Sequence, residues 1–277
     1  MGTISAGVTI AWAMECFEKG FLTLEDTGGM ALRFGNDAAL LECLQLIGER
    51  RRLGDLLAEG RRRASQRLGR GTEAWAMHVK GLEMPGYEPR SLKTMALGLA
   101  VSTRGACHNR PSAYEADFSS RVDRLQADVE RGRLTMEGED FSAVLDSLIW
   151  CKFLRKVFHD LYTESAAIYE HITGWSMTAA ELRQAGERIN TLQKLFNIRE
   201  GWRQEDDTLP PRVLTEVLPT GIVQGVGLTK ADLDMMIQGY YRARGWTAEG
   251  LIPEQKLREL EVLDIVRRDS RSSPSFP

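Results

Sequence analysis

The stretch DFSAVLDSLIWCKFLRKVFHDLY, residues 140–162, decides how the chain is read. Its apolar positions Phe141, Val144, Leu145, Leu148, Phe153, Leu154 and Phe158 recur at helical spacing, so the pattern predicts one strong helix over 140–162. Set into that helix are an acid, Asp146, and a lone cysteine, Cys151. On a continuous helix five positions turn the chain to about 140° apart, so the two side chains do not share a face. They meet one ligand only if the helix ends or bends between them, or if the ligand is large. On residue type alone, Cys151 reads as a small core hydrophobe.

Helical spacing continues in both directions. Val8, Ile10, Trp12, Met14, Phe17 and Phe21 make an apolar stretch near Gly20. Asn36 or Asp37 can cap a helix through Leu40, Leu41, Leu44 and Ile47. Leu53, Leu56, Leu57, Ala64 and Leu68 continue at the same spacing as far as Gly69. Residues 70–90 hold Gly71, Gly81, Pro85, Gly86 and Pro89 and read as an irregular boundary. A helix follows from about Ser91 to the break at Arg104-Gly105. Thr178 to Glu181 is a capping box, and Thr229 to Asp232 is the same device with a shorter acid. Pro253 suits the first turn of a last short helix. No strand alternates convincingly, so the class is all-α. The polar end, RRDSRSSPSFP (267–277), reads as a disordered tail.

Composition excludes some functions. The chain has 277 residues, is 43% hydrophobic and 27% charged, and carries a formal net charge of −3, an ordinary globular balance. A nucleic-acid surface is not expected without basic excess. The arginine runs 50–52 and 61–63 lie beside Glu49, Asp55 and Glu59 and read as solvated helix faces. No apolar run reaches the roughly 20 residues a membrane-spanning helix needs. No basic segment followed by an apolar run marks a secretory leader, so a cytoplasmic location is expected. Cys16, Cys43, Cys107 and Cys151 form no CxxC pair and offer no zinc site.

Among the histidines, His108 stands out. It lies in STRGACHNRPS (102–112) between a helix-breaking Gly105 and Pro111, with Arg104, Asn109 and Arg110 beside it. It reads either as a proton donor or acceptor near neutral pH or as a loop histidine bonded to backbone. His78 falls in the irregular stretch; His159 and His171, on predicted helices, are too far apart for a one-turn metal pair. No Ser-His-Asp set or phosphate loop is present. Gly221, Gly225 and Gly227 lack dinucleotide spacing.

Several segments, in order, carry a family resemblance. They are GTISAGVTIAWAMECFEKG (2–20), GDLLAEG (54–60), GLEMPGYEPRSLKTMALGLAVSTRGACHNR (81–110), DSLIWCKF (146–153), ERINTLQKLFNIREGWRQEDDTLPPR (187–212) and YYRARGW (240–246). Together they resemble the C-terminal part of the aldehyde ferredoxin oxidoreductase family, the tungstopterin enzymes. The resemblance implies two helical domains, the first incomplete: residues 1–76 close the first, and 77–266 make the second. It also implies a tungsten bis-pterin cofactor of the molybdopterin type, a [4Fe–4S] cluster, a small aldehyde or oxo substrate and a ferredoxin-like electron acceptor.

By the same resemblance Asp146 and Cys151 match the family's Asp-x-x-Gly-Leu-Cys motif, the acid on a pterin and the thiolate on the cluster. Ile149 and Trp150 stand at the motif's Gly and Leu and would lie at the cofactor. His108 matches the active-site histidine of an RGACH-type segment, with Asn109 and Arg110 in the same pocket. The family's CxxCxxxC group, which supplies the other cluster ligands, its upstream glutamate and its β-rich cofactor domain are not in this sequence. An N-terminal cofactor domain or a separate subunit is therefore the expected partner. The alternative is a cofactor-free helical fragment or interaction subunit.

Overall fold

The computed structural model describes residues 2–265; the polar end 267–277 lies outside them. The described chain is mostly helical, with almost no strand. Its N-terminal part holds α1 (Thr3–Glu18), α2 (Asp37–Glu49), α3 (Leu53–Leu57) and α4 (Arg61–Leu68). A 3-10 turn (Thr72–Trp75) leads to a short antiparallel hairpin, β1 (His78–Val79) with β2 (Leu82–Glu83). Then come α5 (Lys93–Val101), α6 (Tyr114–Asp117), α7 (Glu130–Ser147), α8 (Leu161–Thr173), α9 (Ala179–Arg199), α10 (Pro211–Thr215), α11 (Lys230–Arg244) and α12 (Glu254–Glu259).

Local chemistry sets many of these ends. The Asn36 side chain accepts from the Ala39 amide (3.1 Å) and opens α2. At α9 the Thr178 hydroxyl accepts from Glu181 N (3.2 Å), and the Glu181 carboxylate accepts from Thr178 N (2.7 Å). The shorter Asp232 at α11 reaches Thr229 N at 3.2 Å. Gly245 closes α11 at φ 68.

One apolar cluster joins Ile10, Trp12, Leu32, Cys43 and Leu57 among α1 to α4. A larger one joins α5, with Met95, Leu97 and Leu99, to Leu233, Met236 and Tyr240 of α11. Where α7 crosses α11, the backbones touch. A Cβ at Gly132 would sit 2.2 Å from the Gly239 carbonyl carbon, so no larger residue fits.

Buried ion pairs bind the long helices together. Arg244 of α11 donates to Glu139 (2.8 Å) and Asp140 (2.6 Å) of α7, and Tyr240 donates to Glu139 (2.6 Å). Asp207 accepts from Lys194 of α9 (3.1 Å), the Tyr241 hydroxyl (2.6 Å) and the Trp202 indole (3.1 Å), and pairs with Lys80 after β1 (2.8 Å). Burial pushes Lys194 down to about 8 against the pull of Asp207. Each of these charges is paired with an opposite one, as burial demands.

The structure departs from the periodicity in several places. The predicted helix over 140–162 is instead α7, which starts at Glu130 and ends at Ser147. Ile149 N donates to Asp146 O (3.2 Å) and Trp150 N to Leu145 O (3.0 Å), with Ile149 at φ 59. That is a Schellman stop, usually built on glycine. The apolar rhythm carries on past it only as a 3-10 turn over Lys152–Lys156. The stretch from Leu53 to Leu68 is broken in two at Gly60, φ 80. His159 lies in a bend before α8, not in a helix. Arg61 is not on a solvated face: it is buried, and its guanidinium donates to Met77 O (2.9 Å). Pro253 sits one residue before α12, as its N-cap.

Candidate functional site

The end of α7 and the loop after α5 carry the candidate residues Asp146, Cys151 and His108. After Val101 the chain turns at Gly105, whose φ of +103 few side chains tolerate. A Cβ there would meet Val79 O at 2.4 Å, so the loop is pressed against β1. This close approach buries Ala106 and Cys107 and brings His108 to the edge of a cavity of about 240 Å³. Glu83, Arg104, Cys107, Asn109 and the first turn of α1 also line it. The His108 ring lies beside Tyr87 (centroids 5.4 Å apart), which stacks on Tyr114 (5.0 Å). Burial lowers the His108 pKa below the usual histidine range, and the Lys152 charge lowers it further. At neutral pH the imidazole is therefore neutral, with one nitrogen to accept a proton and one to donate.

The helix stop at Ile149 resolves the opposed directions of Asp146 and Cys151. α7 ends between them, and Cys151 takes extended backbone (φ −63, ψ 129) at the start of the 3-10 turn. Cys151 is exposed rather than a core residue. Asp146 is on the surface as well. Around them Ile149 (91% exposed) and Phe153 (89%) present apolar side chains to solvent. Trp150 turns the other way and packs edge-on against Phe158 at 5.3 Å, its indole N–H buried without a partner. Ile149 holds the left-handed backbone that glycine adopts without strain, at the position where the motif it resembles has glycine.

Lys152 joins the two segments. Its Nζ donates to Asn109 O at 2.7 Å and lies 3.5 Å from Asp146 Oδ1. His108, Asn109 and Asp146 are thus parts of one connected surface. The sequence reading passed over Lys152, and also Tyr87, Tyr114 and Glu83. Lys152 carried one usable signal, its place directly after the cysteine in the quoted motif.

Cys16 and Cys43 lie in the core among α1 to α4 and take no part. Burial pushes the Cys16 thiol up to about 12 and the Cys43 thiol up to about 11, which leaves both inert. His78 sits in β1, and His159 and His171 are exposed, in the bend before α8 and near its end. Among the described residues no three His, Cys, Asp or Glu side chains cluster to hold a metal ion. The residues fit a cofactor in a limited sense. An exposed thiol and carboxylate on an apolar rim suit one edge of a cluster and a pterin, with the other ligands coming from elsewhere.

Comparisons with known proteins point the same way. A family model described as aldehyde ferredoxin oxidoreductase, domains 2 and 3, matches residues 1–262. A tungsten-containing aldehyde ferredoxin oxidoreductase from Pyrococcus abyssi is 35% identical over 276 residues, 96% of this chain and 44% of the relative. An aliphatic sulfonate oxidoreductase, WOR-like subunit, from Pyrococcus furiosus is 29% identical over 97% of this chain and 41% of its own length. The chain thus spans less than half the length of these relatives. Among solved structures, the active site complex BamBC of benzoyl coenzyme A reductase with 1,5-dienoyl-CoA aligns with a TM-score of 0.74. It covers 98% of this chain and 46% of that one at 21% identity, a likeness of fold alone. No helix among the described residues is long and apolar enough to cross a membrane.

Proposed function

Because the chain belongs to the aldehyde ferredoxin oxidoreductase family as its domains 2 and 3, we propose that it is the helical C-terminal portion of a tungstopterin, iron–sulfur oxidoreductase. The proposed reaction is oxidation of a small aldehyde to a carboxylic acid, in which water supplies the added oxygen, two electrons pass to a ferredoxin-like acceptor and two protons go to solvent. One observation carries the reading: α7 stops at Ile149, so that Asp146 and Cys151 both open onto the surface that Lys152 ties to the His108 loop.

When bound, tungstopterin and a [4Fe–4S] cluster would supply the two-electron redox chemistry. The residues of this chain do the rest. The Asp146 carboxylate would hold the pterin by accepting hydrogen bonds from its N–H groups. Cys151 supplies one thiolate of the usual four around the iron. His108, held neutral by burial, accepts or donates a proton beside the carbonyl group. Ile149, Trp150 and Asn109 would line the cofactor, with the Trp150 ring held edge-on against Phe158. A single thiolate cannot hold the cluster, so the isolated chain is inactive in this reading. The complementary cofactor domain comes from the rest of the polypeptide or from a second subunit.

Metal analysis of the native assembly containing this chain tests the proposal. Tungsten together with about four irons per copy of the chain is expected. An assembly that contains the chain and neither metal contradicts it and supports a cofactor-free interaction subunit.

A further inference from the structure

We propose that Lys152 is a positioning residue, whose ammonium group ties the His108 loop to the end of α7 and so fixes where the imidazole sits. The inference rests on the reading of His108 and Asp146 given above. Its support is geometric. The Schellman stop and the extended Cys151 turn the chain back on itself, and the Lys152 side chain is only 20% exposed. Its Nζ has two acceptors, Asn109 O at 2.7 Å and Asp146 Oδ1 at 3.5 Å. The first has the length of a charge-assisted hydrogen bond.

Asn109 O also accepts from the Ser112 hydroxyl (3.0 Å), which lies 3.0 Å from Ser142 Oγ on α7. The loop is therefore pinned to α7 twice, at Ser142 and, through Lys152, at Asp146. Ordering a lysine and removing its ammonium from water costs free energy. A lysine serving only solubility would extend into solvent instead. The groups facing His108 are the Lys152 ammonium, the phenols of Tyr87 and Tyr114, and Glu83, Arg104 and Cys107 around the cavity. Among these, Lys152 alone bonds both the loop backbone and the Asp146 carboxylate.

The test needs no cofactor. The His108 imidazole is titrated by NMR in the full chain and in Lys152→Met, Lys152→Arg and Asp146→Asn. Loss of the nearby positive charge in Lys152→Met shifts the His108 midpoint upward, and amides 107–110 exchange about tenfold faster once the charged hydrogen bond is gone. Lys152→Arg returns both toward wild type. Asp146→Asn leaves the ammonium uncompensated and shifts the midpoint downward. Opposite signs from the two neutralising variants are the signature, since loss of mere packing would not reverse with the sign of the charge removed. Unchanged titration and exchange in Lys152→Met overturn the proposal, as does a shift of the same sign in both variants. Should Lys152→Met not fold, the surface variant Asp146→Asn decides alone, with an unmoved midpoint overturning the proposal. Because the chain carries no tungsten in this experiment, failure here leaves the cofactor reading standing, and absence of metal leaves this one standing.

Discussion

The seam between α7, α9 and α11 buries charged residues, whereas the surface after α7 exposes apolar ones. In the seam, Arg244, Glu139, Asp140 and Tyr240 are buried or nearly so and satisfy one another. On the surface, Ile149 and Phe153 are exposed although apolar, and Cys151 shows its thiol to solvent. The first arrangement is complete within the chain. The second leaves apolar area in water, which costs about 25 cal/mol per Å² relative to burial. A surface of this kind is understandable where another body covers it. The difference separates what folds this chain from what the chain offers to a partner.

The largest break in the comparison is expected in the seam. Arg244→Met leaves the Glu139 and Asp140 carboxylates buried without their cation. Such losses cost about 3–5 kcal/mol. Urea unfolding of the isolated chain checks this, and a loss below 1 kcal/mol would mean that water already reaches the pair.

A smaller effect of opposite sign is expected at the surface. Ile149→Gly relieves a β-branched residue of left-handed backbone, a strain of about 1–2 kcal/mol. Part of that gain is lost to the greater freedom of glycine in the unfolded chain. A net stabilisation of roughly 0.5–1 kcal/mol remains. No gain in thermal midpoint would show that the turn is not strained, and would remove the reason for comparing Ile149 with the motif's glycine.

How much of this was legible in the sequence follows from the range of the forces involved. The all-α class and the caps at Asn36, Thr178 and Thr229 were legible because each is closed by a neighbour three residues away. The stop at Ile149 was not. Isoleucine disfavours the left-handed backbone, and Phe153, Leu154 and Phe158 prolong the helical rhythm past the true end. Arg61 read as a surface charge because its partner lies in another segment: its guanidinium donates to Met77 O, 16 positions away. At the site, the roles proposed for Asp146, Cys151 and His108 rest on the family resemblance; local sequence singled out His108 but left its role open between proton transfer and a backbone-bonded loop histidine. Lys152 went unseen because its acceptor, the backbone carbonyl of Asn109, carries no mark in the sequence.

The central claim is that Cys151 opens onto the surface as a cluster ligand. The most direct test is the iron content and the low-temperature electron paramagnetic resonance signal of the native assembly carrying Cys151→Ala. Cys107→Ala, a buried cysteine of the same chain, serves as the control. The account predicts that Cys151→Ala loses or degrades the four-iron signal while Cys107→Ala keeps it. Full iron and an unchanged signal in Cys151→Ala would contradict the account.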